Sequence, residues 1–305
     1  RLMRIDPEAE VTILEKGKYL SYAGCGLPFY VGGVVKEYSD LMTTPIGIVR
    51  DENFFRKVKH INVHTSHMAT KIDRKNHNVI AVDLTSGQEK NFSYDKLVIA
   101  TGASPIRLPL PGSDLPEVFT LWTMSDALAM RAAIDSGKVK RAVIIGGGLI
   151  GMEVVEALCN RGLEVSVVDI LDRPLPAMID PAFGRYLLKA LQSKGVHFYG
   201  EERVLEIVGH NGEVKSVKTD KREIPADMVL MAVGVRPNTA IAKDAGLEIG
   251  KSGGILVDEH MRTNDPDIYA GGDCVEVNHI LTGRKTWQPM GSVANRQGRV
   301  IADNI

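Results

Sequence analysis

The stretch Ala142-Val143-Ile144-Ile145-Gly146-Gly147-Gly148-Leu149-Ile150-Gly151 decides the fold. An apolar, β-branched run stands directly before G-x-G-x-x-G, and a helical pattern follows. Gly146 permits a tight turn, Gly148 lets the backbone approach a pyrophosphate, and Gly151 lets helix and strand pack closely. The helix start, with Ile150 in its first turn, offers unpaired N–H groups and a partial positive charge to phosphate. The next strand pattern ends in Asp169, about 20 residues on, where a carboxylate meets ribose hydroxyls. These features point to a dinucleotide site. The competing reading is that the glycines serve close packing alone. A carboxylate ~4 Å from a 2′-phosphate costs about 4 kcal/mol at an effective dielectric of ~20. Asp169 therefore favours NADH. Arg173 stands close enough in sequence to accept that phosphate, so NADPH stays open.

Outward from this unit, strand and helix patterns alternate. Strands are expected at Val11–Leu14, Val79–Leu84, Asn91–Tyr94, Leu97–Ala100, Glu164–Ile170, Met228–Val233 and Ile268–Ala270. Helices are expected at Ser125–Ser136 with Ser125 as N-cap, Leu149–Arg161, Pro181–Lys194 and Asn295–Asn304. Glycines cluster just after β-branched runs, as in parallel sheets with crossover helices. The Pro-rich stretch Pro105–Pro116 reads as a linker between domains.

The 305 residues allow two domains. Hydrophobic residues at 44% and charged residues at 25% exclude disordered and fibrous classes. A net charge of −1 argues against a dedicated nucleic-acid binder. No apolar run reaches the ~18 residues of a membrane helix. Three cysteines are too few for a disulfide framework, which points to a reducing, cytoplasmic compartment. The chain starts at Arg1 and ends at Ile305 inside a helical pattern, so a fragment of a longer protein is expected.

Glu15 closes the first strand as Asp169 closes a later one, which makes it the ribose acid of a second dinucleotide unit. The glycine loop of that unit would lie before Arg1. Next comes Ser21-Tyr22-Ala23-Gly24-Cys25-Gly26-Leu27-Pro28-Phe29-Tyr30. Pro28 suits the first turn of a helix, and a thiol just before a helix start favours its reactive, deprotonated form. A buried structural thiol is the competing reading. No C-x-x-C or C-x-x-x-x-C surrounds Cys25, so a local disulfide is excluded. Cys159 and Cys274 read as packing thiols. His60, His64 and His67 are bunched without carboxylate or Cys partners, so no metal site is expected. Arg56-Lys57-Val58-Lys59 reads as a solvated face, with a grip on a phosphate-bearing substrate as the alternative.

Together these segments resemble the flavin-dependent pyridine nucleotide-disulfide oxidoreductases, in the single-cysteine branch of coenzyme A-disulfide and persulfide reductases, NADH oxidases and peroxidases. Ile99-Ala100-Thr101-Gly102-Ala103-Ser104-Pro105 resembles the crossing turn between the two nucleotide domains. Ala232-Val233-Gly234-Val235-Arg236-Pro237-Asn238 resembles the end of the NAD domain. Ile268-Tyr269-Ala270-Gly271-Gly272-Asp273 resembles the second flavin motif, and Gly291–Gly298, with Ala294, the helix start under the flavin ring. Ser21–Tyr30 is most similar to the coenzyme A-disulfide and persulfide reductases, with Gly24 where their stretch carries Asn. Leu149 stands where many relatives carry a gating aromatic, and Glu153 matches an acid near flavin and nicotinamide.

The resemblance implies an α/β chain of two doubly wound, Rossmann-like domains in a glutathione-reductase-like architecture. The FAD domain would comprise 1–116 and 253–305, and the NAD domain 117–252. A C-terminal dimerisation domain would be absent from this chain. The implied cofactors are FAD and NADH, with coenzyme A as ligand or substrate moiety. The implied catalytic residue is Cys25, passing electrons to a small sulfur substrate, with Arg4 and Ser21 on the coenzyme. A homodimer, no nucleic acid and no membrane are implied as partners. The alternatives are an NADH oxidase or peroxidase with Cys25 as a sulfenate, and a redox-sensing flavoprotein or inactive fragment.

Overall fold

The computed structural model describes residues 1–305. The chain divides into two compact units. One comprises Arg1–Ser21, Arg50–Ser104 and Arg236–Ile305, and the other Tyr22–Val49 and Pro105–Val235. This division groups the segment around Cys25 with the fingerprint unit, whereas the sequence reading assigned it to 1–116.

The second unit is built on a five-stranded parallel sheet. Its strand order is His197–Tyr199, Glu164–Val168, Arg141–Ile145, Met228–Met231 and Val118–Phe119. The fingerprint strand lies in the middle. Ala142 to Ile145 are all buried, the continuous apolar run of a strand covered on both faces. Helices Leu149–Asn160 and Pro181–Ser193 follow strands Arg141–Ile145 and Glu164–Val168 respectively. An antiparallel meander, Val204–His210, Glu213–Thr219 and Glu223–Pro225, stands between His197–Tyr199 and Met228–Met231. Its buried Ile207, Val217 and Ile224 pack with Val143, Ile145, Val168 and Val229 of the sheet. Each such fully buried side chain contributes roughly 1.5–3 kcal/mol.

Helix Met124–Asp135 has its N-cap two residues earlier than the expected Ser125. Its N-cap is Thr123, whose hydroxyl accepts the Asp126 N–H at 3.2 Å while Asp126 accepts the Thr123 N–H at 2.8 Å. This reciprocal capping box satisfies two otherwise orphaned donors.

In the first unit the strands form short groups. Thr12–Leu14 runs parallel to Asn62–His64, and Leu97–Ile99 parallel to Ile268–Ala270. His67–Asp73, Asn78–Asp83 and Glu89–Ser93 make an antiparallel meander, the expected hairpin turning at Gly87. Ile72, Val79, Ile99, Ile268, Tyr269 and Ile301 share one core. The last helix spans Gly291–Asn304, four residues earlier than the pattern from Asn295 implied. No helix is long and apolar enough to cross a membrane.

Candidate functional site

The fingerprint turn is held by the main chain. Gly146 has φ +107°, and a Cβ there would lie 2.4 Å from the Ala232 carbonyl oxygen. A Cβ on Gly151 would lie 2.1 Å from the Gly146 carbonyl oxygen. Both positions exclude a side chain without a shift of backbone. Gly148, the N-cap of the helix, faces open space, as an approaching pyrophosphate requires. Asp169 stands just past its strand, with Oδ2 accepting the Gly147 N–H at 2.6 Å and Oδ1 the Leu171 N–H at 2.8 Å. The strand end and the glycine turn are thereby locked together. Leu175 donates its N–H to the Gly147 carbonyl at 2.9 Å, tying the following loop to the same turn.

Arg173 lies in that loop. Its Nη1 donates to Asp172 at 2.6 Å, its Nε is buried without a hydrogen-bond partner, and its stem presses on Gly184. Ile150 and the exposed Leu149 occupy the first turn of the fingerprint helix. One turn on, Glu153 is an exposed side chain whose carboxyl is nonetheless partly desolvated by its surroundings, which pushes it above the usual range. Gly234, φ +109°, accepts the Ile106 N–H at 2.9 Å where the chain leaves this unit.

Cys25 sits in a single 3₁₀ turn, Gly24–Gly26, which runs straight into the helix Leu27–Val31. The helix buries Leu27, Pro28, Tyr30 and Val31, whereas Cys25 is exposed. The expected helix behind the thiol is present, with Pro in its first turn, but it is only five residues long. Space beside Gly24 is open. Cys159 and Cys274 differ from Cys25, since burial pushes both thiols up. Cys274 donates to the carbonyls of Gly271 at 3.3 Å and Ile99 at 3.5 Å. Both behave as the packing thiols read from the sequence.

In the first unit, Gly102, Gly272, Asp273 and Ala294 come together in the wall of a cavity of about 350 Å³. Gly291, Ala294 and Gly298 leave one face of the last helix bare along it. Asp273 carries no protein hydrogen bond on its carboxylate, and burial pushes that carboxyl above its usual range. A small-walled slot with an unpartnered acid suits a flat, hydroxyl-bearing ligand. Two residues not singled out from sequence fix this turn. Gln297 Oε1 accepts the Gly272 N–H at 2.8 Å, and Trp287 Nε1 donates to the Asp273 carbonyl at 2.8 Å. Gln297 falls inside the quoted Gly291–Gly298 stretch. Trp287 had no local signal.

Thr101 and Gly102 are knotted to Asn238. Thr101 Oγ1 donates to the Asn238 carbonyl at 2.5 Å, Asn238 Nδ2 to the Thr101 carbonyl at 2.9 Å, and Asn238 N–H to the Gly102 carbonyl at 2.9 Å. Glu15 bends back so that Oε1 accepts the Gly17 N–H at 2.6 Å, which leaves its other oxygen for a ribose. Arg4 is exposed on a one-turn helix and Ser21 is half-buried. Neither touches the cavity wall. The His64 and His67 rings lie tilted at 51° with centroids 5.2 Å apart beside Phe92, and the His67 nitrogens engage the Thr65 carbonyl and Lys90.

The chain is 37% identical over 305 residues to an NADH oxidase of Methanocaldococcus jannaschii, covering all of this chain and 66% of that protein. It is 34% identical to an NAD(P)H coenzyme A polysulfide/persulfide reductase of Pyrococcus horikoshii, with the same coverage. The solved structure of an NAD-dependent persulfide reductase from A. fulgidus superposes with a TM-score of 0.96 at 44% identity, over 99% of this chain and 56% of that one. The chain thus spans about two thirds of the length of these curated relatives. The family described as "Pyridine nucleotide-disulphide oxidoreductase" matches residues 2–298. The chain, with its fingerprint unit and its cavity at Gly272-Asp273, belongs to that family.

Proposed function

We propose that the chain is the nucleotide-binding part of an NADH oxidoreductase that reduces coenzyme A disulfide, a persulfide or a related sulfur acceptor through Cys25. The observation that carries this reading is the exposure of Cys25 on a turn that leads into a helix with Leu27, Pro28, Tyr30 and Val31 buried, while Cys274 is buried and Cys159 partly so. Gly146, Gly148 and Gly151 hold the NADH pyrophosphate, and Asp169 its ribose. Gly102, Gly272, Asp273 and Ala294 would hold FAD, with Glu15 on the adenosine ribose. When bound, the flavin supplies a two-electron relay between nicotinamide and sulfur. Cys25 Sγ, as thiolate, attacks one sulfur of the acceptor. A bond forms to Cys25, the acceptor S–S bond breaks, and one thiolate leaves and takes up a proton. An electron pair originating in NADH then cleaves the mixed disulfide, releases the second thiolate and restores Cys25.

Cys25→Ser tests the reading. Its hydroxyl stays protonated near neutral pH and forms no S–S bond. Sulfur turnover should fall by several orders of magnitude, while NADH-driven flavin reduction in stopped flow persists. Near-normal turnover in the variant would make Cys25 structural. A second reading is favoured by relatives named NADH oxidase at comparable identity. There Cys25 would cycle through a sulfenate, and oxygen rather than a sulfur acceptor would sustain NADH consumption.

A further inference from the structure

The five-residue helix behind Cys25 is too short to hold its own direction. Isolated helices below ~12–15 residues are marginal in water, so its geometry comes from what packs on it. Leu27 and Val31 are buried, but apolar burial is non-directional. Two contacts are directional. Gly32, just past the helix, lies so close to the Leu149–Asn160 helix that a Cβ would sit 3.0 Å from Ala157 Cα. The second contact is Arg131, from helix Met124–Asp135. Its Nη1 donates to the Tyr30 carbonyl at 2.8 Å, and its guanidinium carbon stands 5.3 Å from the Tyr30 ring centroid.

Arg131 is itself fixed. Its Nε donates to Asp135 Oδ2 at 2.7 Å, and Arg161 Nη2 donates to the other Asp135 oxygen. Burial alone would raise the Asp135 carboxyl, but the hydrogen bonds from Arg161 and Arg131 outweigh it and hold the group below its usual range. The carboxylate therefore stays charged around neutral pH. One planar guanidinium bonds a carboxylate through one nitrogen, bonds a main-chain carbonyl through another, and faces a ring. An ammonium group cannot do all three.

We propose that Arg131 is a positioning residue for Cys25, acting through the Leu27–Val31 helix and locked by Asp135 and Arg161. This rests on the reading that Cys25 carries the sulfur chemistry. The thiol turn hangs from that helix, and Arg131 sets the direction of the helix. Displacing a reacting group by about 1 Å costs roughly a hundredfold in rate. Hydride delivery from NADH does not use this turn.

The test reads both position and rate. A nitroxide label is placed on Cys25 in a Cys159→Ser background, Cys274 being buried. Arg131→Ala should sharpen the label spectrum. In unlabelled, flavin-loaded protein it should lower kcat with coenzyme A disulfide about tenfold to a hundredfold, and leave anaerobic flavin reduction by NADH within about twofold. Arg131→Lys, which keeps the carbonyl contact alone, should fall between in both readouts. An unchanged label spectrum, or a parallel loss of flavin reduction and turnover, overturns the proposal. If Arg131→Ala does not fold, Arg131→Lys decides alone, and wild-type mobility with wild-type kcat overturns it. Failure of the Cys25 reading is seen separately, as sulfur turnover surviving in Cys25→Ser. The label still reports whether Arg131 holds the turn.

Discussion

Asp169 Oδ2 accepts the N–H of Gly147 at 2.6 Å although 22 residues separate them. One carboxylate thus closes the glycine turn and, under the proposed function, meets the cofactor ribose. Its charge opposes a 2′-phosphate. Even a quarter of the ~4 kcal/mol of bare repulsion gives a several-fold preference for NADH. Asp169→Asn retains an acceptor for the Gly147 N–H and removes the charge. The kcat/KM ratio for NADH over NADPH should fall about fivefold or more, as measured by steady-state kinetics with both cofactors. An unchanged ratio would place discrimination elsewhere in the Leu171–Leu175 loop.

Gly146→Ala should damage the site without touching any ligand-facing side chain. The residue would have to adopt φ +107° and meet the Ala232 carbonyl. Strain of this kind costs of order 1–3 kcal/mol. NADH affinity by fluorescence titration should weaken about tenfold, since the turn must move to relieve it.

Glu153→Gln should change stability in a pH-dependent way. Partial desolvation raises the carboxyl of the exposed Glu153, so the folded state holds its proton slightly more tightly than the unfolded chain does. Its contribution is full below the ordinary carboxylate range and is lost as pH rises through the raised value. Urea midpoints of parent and variant should therefore coincide near pH 4, and the variant should be the more resistant at pH 8.

Gly24→Ala should stabilise the protein by about 0.4–1 kcal/mol through loss of unfolded-state freedom. Gly24 has no positive φ and its Cβ position is empty. Calorimetry of the purified variant checks this. The same open space means that Asn fits at this position, so Gly24→Asn should fold as the parent does.

The parts of this architecture that rest on local pattern were legible in the sequence. Ala142–Ile145 is a continuous apolar run before a glycine turn, and Asp169 follows at the distance one crossover sets. Thr123 was less legible, because two hydroxyl residues either side of Met124, Thr123 and Ser125, compete for the cap. Only Asp126, three residues after Thr123, decides between them. The early start of the last helix was hidden by Gly291, a weak helix former that packing overrides. Trp287 and Arg131 act through main-chain carbonyls of distant segments, at Asp273 and Tyr30, and no spacing rule announces such a bond. The grouping of Tyr22–Val49 with the fingerprint unit is likewise a matter of tertiary packing.

The turn at Gly146–Gly151 is closed by main-chain amide and carbonyl groups and by the single carboxylate of Asp169. Every amino acid carries the same main chain, so such a cradle is blind to most exchanges in the side chains around it. Under the proposed function, the turn that meets the acceptor, around Cys25, lies in a different segment. On that reading, substitutions around Cys25 would change the acceptor and leave the glycine turn that takes up the electrons as it is.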